Sequence, residues 1–360
     1  MSELTVKGLD LTHPKSMATP HGRLSHNRPM KTAVLVAALL GLALTTAIMG
    51  VIGLRDVAHA VGTIGWRGLI TLVVCTAAPL ALLGGAWFLL ARGESLSRLP
   101  VFVWARLIRD ASGELLPFSH VGGFFIGARA AILRGVAPRT AFATSVVDVT
   151  AELIAQLVFT GLGLVWLAGR LEAGALRNTL MGGAIGGLAL STAAVTVLVI
   201  VQRRGGRFAE RLAARFLPGA AARTADIGAA IQAIYDSPGR VAGAAVVHLF
   251  AWVASGLGSW AALRAAGVDI NPLSILALES LVAAVRSAVV VAPMGIGVQE
   301  ATYAFAGPLF GLDPDLSLAL SLIKRARDLV IGIPALMTWQ GMEGARAMGR
   351  KAALSSEATN

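Results

Sequence analysis

Cysteine is almost missing from this 360-residue chain, and the lone Cys75 can build neither a disulfide framework nor a thiolate metal site. Charge is scarce as well, at 14% of residues against about 25% in a soluble domain. Acidic residues are the scarcer sign, 20 against 31 Lys and Arg. Strand-like alternation is lacking, which argues against an outer-membrane barrel, whose segments would run to about 10 residues. No P-loop, zinc spacing or nucleophile-base set occurs, and GIGVQE lacks both a preceding strand and the third glycine of a dinucleotide fingerprint. A soluble catalytic domain and a bound cofactor or metal are therefore not expected.

What remains is apolar: 56% hydrophobic residues, with a mean hydropathy of +0.72. About 20 apolar residues suffice for a helix to cross roughly 30 Å of hydrocarbon. Thr32 to Leu54, Gly68 to Ala91, Asn178 to Val201 and Val241 to Leu263 meet that length, with Thr140 to Gly169, Pro272 to Val291 and Asp315 to Gln340 close behind. The expected fold is an all-α polytopic membrane protein of about seven or eight spans. Residues 1–30 read as a polar cytoplasmic tail, 31–342 as one membrane domain and 343–360 as a polar C-terminal tail. His13, His21 and His26 lack zinc-site spacing and read as solvated.

The net charge of +11 lies mostly in connections, which marks cytoplasmic loops rather than nucleic-acid binding. Gln202 to Arg223 sets Arg207, Arg211 and Arg215 beside Phe208, Leu212 and Phe216, the pattern of an interfacial helix on anionic headgroups. A partner-docking helix is the other reading. GGAIGG, Gly182 to Gly187, reads as a close helix-packing surface.

Two segments interrupt the spans. Gly113 to Gly135 contains Pro117, paired glycines, His120 and Arg129, and the bias of the basic loops favours a re-entrant or broken helix there. In Pro293 to Gly311, Pro293 stops a helix, Gly295 and Gly297 turn the backbone, and Gln299 with Glu300 opens a half-helix whose N-terminus favours negative charge. Glu114 and Pro117 are expected to do the related job in the first segment. An internal repeat is suggested because Gly135, Pro138, Ala143, Ser145 and Leu153 recur 176 residues later as Gly311, Pro314, Ala319, Ser321 and Leu329. The side on which the C-terminus lies stays open.

Ionisable residues at membrane depth are costly, about 2.5 to 3.5 kcal/mol each on insertion scales, and so mark functional candidates. Asp148, Glu152 and Gln156 share one helical face. Lys324, Arg325, Arg327 and Asp328 cluster in the last span. Pairing of these carboxylates and cations in the bundle centre is expected, with Glu279 and Arg286, seven apart, as a further pair. His248, alone in an apolar span, reads as a satisfied packing residue in preference to a proton relay.

R-x-x-R-D-x-S-G-E-L-L-P, from Arg106 to Pro117, and A-P-M-G-I-G-V-Q-E followed by a basic final span resemble the flippase-type membrane region of lysylphosphatidylglycerol synthases and its stand-alone relatives. Met294 stands where that family commonly has glycine. GELLPFSHVGG, GARAAILRG and DVTAELIAQ resemble the hopanoid-biosynthesis-associated branch more specifically. The resemblance implies movement of lipid without a cofactor and, for that branch, delivery of hopanoids from the bacterial inner membrane towards the outer one. Implied partners are membrane lipids, a hopanoid or an anionic phospholipid, with a homo-oligomer conceivable and nucleic acid not expected. The residues set along this pathway are Arg106, Arg109, Glu114, Pro117, Arg129, Asp148, Glu152, Pro293, Gly295, Gly297, Gln299, Glu300, Lys324, Arg325 and Asp328. A membrane transferase on a polyprenyl-linked or phospholipid substrate and a non-transporting scaffold are the competing readings.

Overall fold

The computed structural model describes residues 54–116, 119–170, 174–204, 218–288 and 297–357. All of these fall in one of the chain's two compact units, Leu44 to Asn360. Almost all of the expected first span, the centre of the basic connection, Pro117, Pro293 and Gly295 lie outside the described residues. Within them every regular element is helical.

The helices are α1 Leu54–Cys75, α2 Ala77–Leu90, α3 Leu99–Leu115, α4 Ser119–Leu133, α5 Pro138–Ala168 and α6 Ala175–Arg204, followed by α7 Pro218–Tyr235, α8 Pro238–Ala265, α9 Pro272–Ala288, α10 Val298–Ala306 and α11 Pro314–Glu357. Proline begins α5, α7, α8, α9 and α11, where its missing N–H costs nothing and its fixed φ suits the first turn. At the start of α9, Asn271 adds a cap by accepting from the Leu273 amide at 2.8 Å. Gly62–Leu90, Pro138–Ala168, Arg177–Arg204 and Pro238–Ala265 are each long and apolar enough to cross a membrane. The first of these covers α2 and most of α1, and Gly65 (φ 79°) breaks α1 just inside it.

Three apolar clusters hold the bundle. One joins α1, α8, α9, α10 and α11 around Leu72, Leu263, Leu278 and Leu320. A second joins α2, α3, α4 and the middle of α11 around Trp87, Phe102 and Ile108. The third ties α7 to α2, α5 and α8. Helix α6 instead exposes Ile185, Leu190, Val197 and Val201, a face that suits lipid rather than water. GGAIGG belongs to that face: a Cβ added at Gly182, Gly183, Gly186 or Gly187 would meet nothing within 4 Å. The expected close helix packing through these glycines is therefore not made within the described chain.

The repeat is visible in the backbone. Gly135 and Gly311 adopt nearly the same left-handed conformation, φ 89° and 90°, and each is followed by a proline-led helix. With that offset, α2 to α5 correspond to α8 to α11. Helix α2 packs on α8, while α3 packs on α11 and α9 on α5, the exchange of partners that a two-fold relation produces. Where α5 meets α9, the Gln156 amide donates to Ala283 O at 2.9 Å and to Ser287 Oγ at 2.7 Å. At the corresponding α11–α3 crossing the residues in those places are Gly332 and Ala111, and a Cβ on Gly332 would lie 3.3 Å from the Ala111 Cβ.

Close approach is required at Gly84, where an added Cβ would fall on the backbone of Val103. Gly84→Val should cost about 1–3 kcal/mol through overpacking, whereas Gly183→Val on α6 should stay within about 0.5 kcal/mol of the parent. Thermal unfolding of the two solubilised variants checks the contrast.

Candidate functional site

Between the two repeats lies a cavity of about 510 Å³. Its apolar lining includes Pro79, Leu80 and Leu83 of α2, Phe124 of α4 and Trp252 of α8. The same lining carries five cations, Arg106, Arg109, Arg286, Lys324 and Arg327, and five carboxylates, Asp110, Glu114, Glu152, Glu279 and Asp328. Such a density of charge inside a membrane bundle is tolerated only when the charges pair.

The largest network joins α3, α5 and α8. Arg106 and Arg109 stand one turn apart on α3 and are 4% and 5% exposed. Arg106 reaches Glu152 Oε1 at 2.6 Å, Asp148 Oδ2 at 3.3 Å and Asp110 at 2.8 Å. Arg109 reaches Asp148 Oδ2 at 2.6 Å and Glu152 Oε2 at 2.8 Å. The planar guanidinium suits this use, because its fork satisfies two carboxylates at once. The Phe124 ring lies 4.4 Å from the Arg109 guanidinium and covers it. His248, wholly buried on α8, places Nε2 2.9 Å from Asp148 Oδ1.

The second repeat builds smaller units. Lys324 donates to Glu279 Oε2 at 2.5 Å and to the Tyr303 hydroxyl at 2.8 Å, and that hydroxyl donates to Glu279 Oε1 at 2.6 Å. Arg286 donates to Glu114 at 2.6 Å and to Gln299 Oε1 at 3.1 Å. The Gln299 amide continues to Ser321 Oγ at 3.1 Å. Arg327 pairs with its neighbour Asp328 at 2.6 Å.

The expected pairing thus differs in its partners. Among the described residues no ion pair links the Asp148–Glu152 face of α5 to Lys324 or Arg325 of α11; the α5 carboxylates are held by α3, while α11 pairs Lys324 with α9, Arg325 with α10 and Arg327 with its own Asp328. Glu279 and Arg286 do not pair with each other either, because α11 brings Lys324 to one and α3 brings Glu114 to the other. Glu114 stands in the last turn of α3 and not at the start of a half-helix, and the Arg286 guanidinium pairs with it.

Glu300 is where the sequence places it, in the first turn of α10, where its Oε2 accepts from the Gly297 amide at 2.9 Å. Gly297 has φ 80° and frees the backbone to turn there. Arg325 pairs with Glu300 and, with it, lies beside the cavity rather than along it. Arg129 is led away to Glu343 at 2.6 Å and is half exposed. Of the sequence candidates, the cavity lining therefore collects Arg106, Arg109, Glu114, Glu152, Lys324 and Asp328, with Asp148 directly behind. Asp110 and Tyr303 were not singled out by the sequence; the four-residue spacing of Asp110 from Arg106 was the available signal for one, while nothing local marks the other.

The family model described as the lysylphosphatidylglycerol synthase TM region matches residues 36–335. The chain belongs to that family, and the match takes in both repeats. No curated protein and no solved structure is significantly similar to it.

Lys324→Met would strand Glu279 in the bundle, and losing one partner of a buried pair costs about 3–5 kcal/mol. Adding Glu279→Gln to that variant should restore part of the loss. A double-mutant cycle on unfolding free energies measures it, with simple additivity being the unexpected result.

Proposed function

We propose that this member of the lysylphosphatidylglycerol synthase TM-region family moves lipid between leaflets, taking the headgroup into the charged cavity while the acyl chains follow its apolar lining. The cavity itself carries this reading: its lining combines ten ionisable side chains with apolar ones such as Leu80, Leu83 and Trp252, the two kinds of contact that a membrane lipid needs. Its ion pairs suit binding and release better than bond making, since the carboxylates and amines that could attack a substrate are held by opposite charges. Repeats meeting at a mid-membrane site are a common transporter plan. The finer reading, hopanoid movement from the inner membrane towards the outer, rests on the resemblance of GELLPFSHVGG and DVTAELIAQ to that branch. The cavity favours a charged headgroup over a polycyclic hydrocarbon.

Purified protein in phosphatidylethanolamine–phosphatidylglycerol vesicles, with a trace of acyl-labelled phosphatidylglycerol, should make label in the inner leaflet accessible to dithionite faster than empty vesicles do. Arg286→Gln removes a charge-assisted hydrogen bond of about 1.5–3 kcal/mol and should slow the rate about tenfold or more; equal rates with and without protein reject the reading for this lipid. Gene deletion followed by lipid analysis of separated inner and outer membranes decides the cargo: hopanoid retained inside favours the branch reading, and an unchanged hopanoid partition removes it.

A further inference from the structure

Almost all the ion pairs described above match one cation with one carboxylate. The network on α3, α5 and α8 does not: it contains two guanidiniums, Arg106 and Arg109, and three carboxylates, Asp110, Asp148 and Glu152. The sixth member is His248, bonded to Asp148 and 0% exposed, as Asp148 is. Asp110 is 37% exposed and so solvated, while the buried members balance two guanidiniums against two carboxylates with the imidazole neutral; an uncompensated charge added to this low-dielectric interior would be expensive. The His248 Nδ1 has no hydrogen-bond partner among the described residues, so one ring nitrogen is held by Asp148 and the other is open to a proton.

We propose that His248 and Asp148 form a proton-binding site that couples proton uptake to the binding of an anionic headgroup at Arg106 and Arg109. Arg106, Arg109 and Glu152 line the cavity, whereas Asp148 and His248 stand behind them. A phosphodiester arriving at the two guanidiniums competes with Glu152 and Asp148 and adds one negative charge. A hydronium proton transferred to Nδ1 completes the exchange, forming an N–H bond and releasing water, while Nε2–H continues to donate to Asp148. The network then has the same net charge before and after loading.

Among the described residues the other charged groups on the helices packed against α8 are engaged elsewhere or exposed. Helix α2 has no ionisable side chain, and α9 brings Glu279 near Gly256, two turns along from His248, where Lys324 already neutralises it, and Arg286, which Glu114 neutralises. Cys75 of α1 lies against Gly258, Tyr235 of α7 donates to Gln202, and Arg67 and Asp226 are exposed. The lipid-transport reading supplies the identity of the anion; the proton site stands on the geometry alone.

Two measurements separate the claims. In the first, the five other histidines (His13, His21, His26, His59 and His120) are replaced by Gln, and 15N-histidine NMR follows His248 in nanodiscs from pH 5 to 9. The imidazole should bind a proton within that range, and about tenfold more tightly in phosphatidylglycerol discs than in phosphatidylcholine discs, because a neighbouring anion favours the charged form. An imidazole that stays in one protonation state throughout, or titrates identically in both lipids, overturns the proposal. If the five-fold variant does not fold, the difference spectrum of the native protein against His248→Gln gives the same signal. In the second, labelled-lipid movement is followed in vesicles across the same pH range, and His248→Gln should flatten the profile. Movement with the same pH profile in both proteins removes the coupling and leaves lipid transport intact. A lipid-sensitive titration without lipid movement removes transport and leaves the proton site.

Discussion

Two arginines one turn apart on α3 have to be neutralised inside an apolar bundle, and much of the architecture is arranged around that need. Isolated in hydrocarbon, each would oppose insertion by several kcal/mol. Held by Asp148 and Glu152, they instead fix the register of α3 against α5, since a slip of one residue on either helix would turn a charge towards lipid. His248 extends the constraint to α8, and Glu114, one turn beyond Arg109, extends it to α9 through Arg286. The apolar clusters supply cohesion, but hydrocarbon competes with them for side-chain contact. Charge pairing has no such competitor in the membrane, so it is the term that selects one arrangement of these helices.

The two repeats solve this problem with opposite signs. Position 148 of the first is Asp and its counterpart in the second is Lys324, yet each pairs with the helix two before it in its own copy, Asp148 with Arg109 of α3 and Lys324 with Glu279 of α9. Interior packing is indifferent to which partner carries the cation, provided both change together. The result is a cavity that is symmetric in backbone and asymmetric in chemistry. One half offers paired guanidiniums suited to bidentate recognition of a phosphate. The other offers a compact Lys–Glu–Tyr unit, with Arg286 and Arg327 each held singly by a separate carboxylate.

Much of the fold was legible because hydrophobic length and proline–glycine punctuation are local signals. Four of the expected spans, the proline-led starts of α5 and α11 and the repeat at Gly135 and Gly311 all follow from them. The carboxylate face of α5 was legible too, as a four-residue spacing. Its partners were not, because helix periodicity says which residues share a face and nothing about which helix arrives opposite. Glu279 and Arg286 show the failure most clearly: seven residues apart, they share a face, and tertiary contacts with Lys324 and Glu114 override their mutual attraction. Glycines mislead in a related way. Gly84 and Gly332 make close crossings without any motif around them, while the conspicuous GGAIGG faces outward.

Because the cavity's charges are already paired, a ligand must replace an existing partner rather than fill an empty site. Breaking a buried pair without compensation costs several kcal/mol, so the ligand that binds is one whose own charge takes the place of the side chain it displaces. A phosphate meeting Arg106 and Arg109 can do this, with the displaced carboxylate neutralised by a proton or by a cationic headgroup atom. A polycyclic hydrocarbon has no charge to exchange; it would leave the pairs closed and occupy only the apolar lining formed by Pro79, Leu80, Leu83 and Trp252. On the lipid-transport reading, the pairing that stabilises the bundle would also select the ligand, by making entry depend on charge exchange rather than on fit alone.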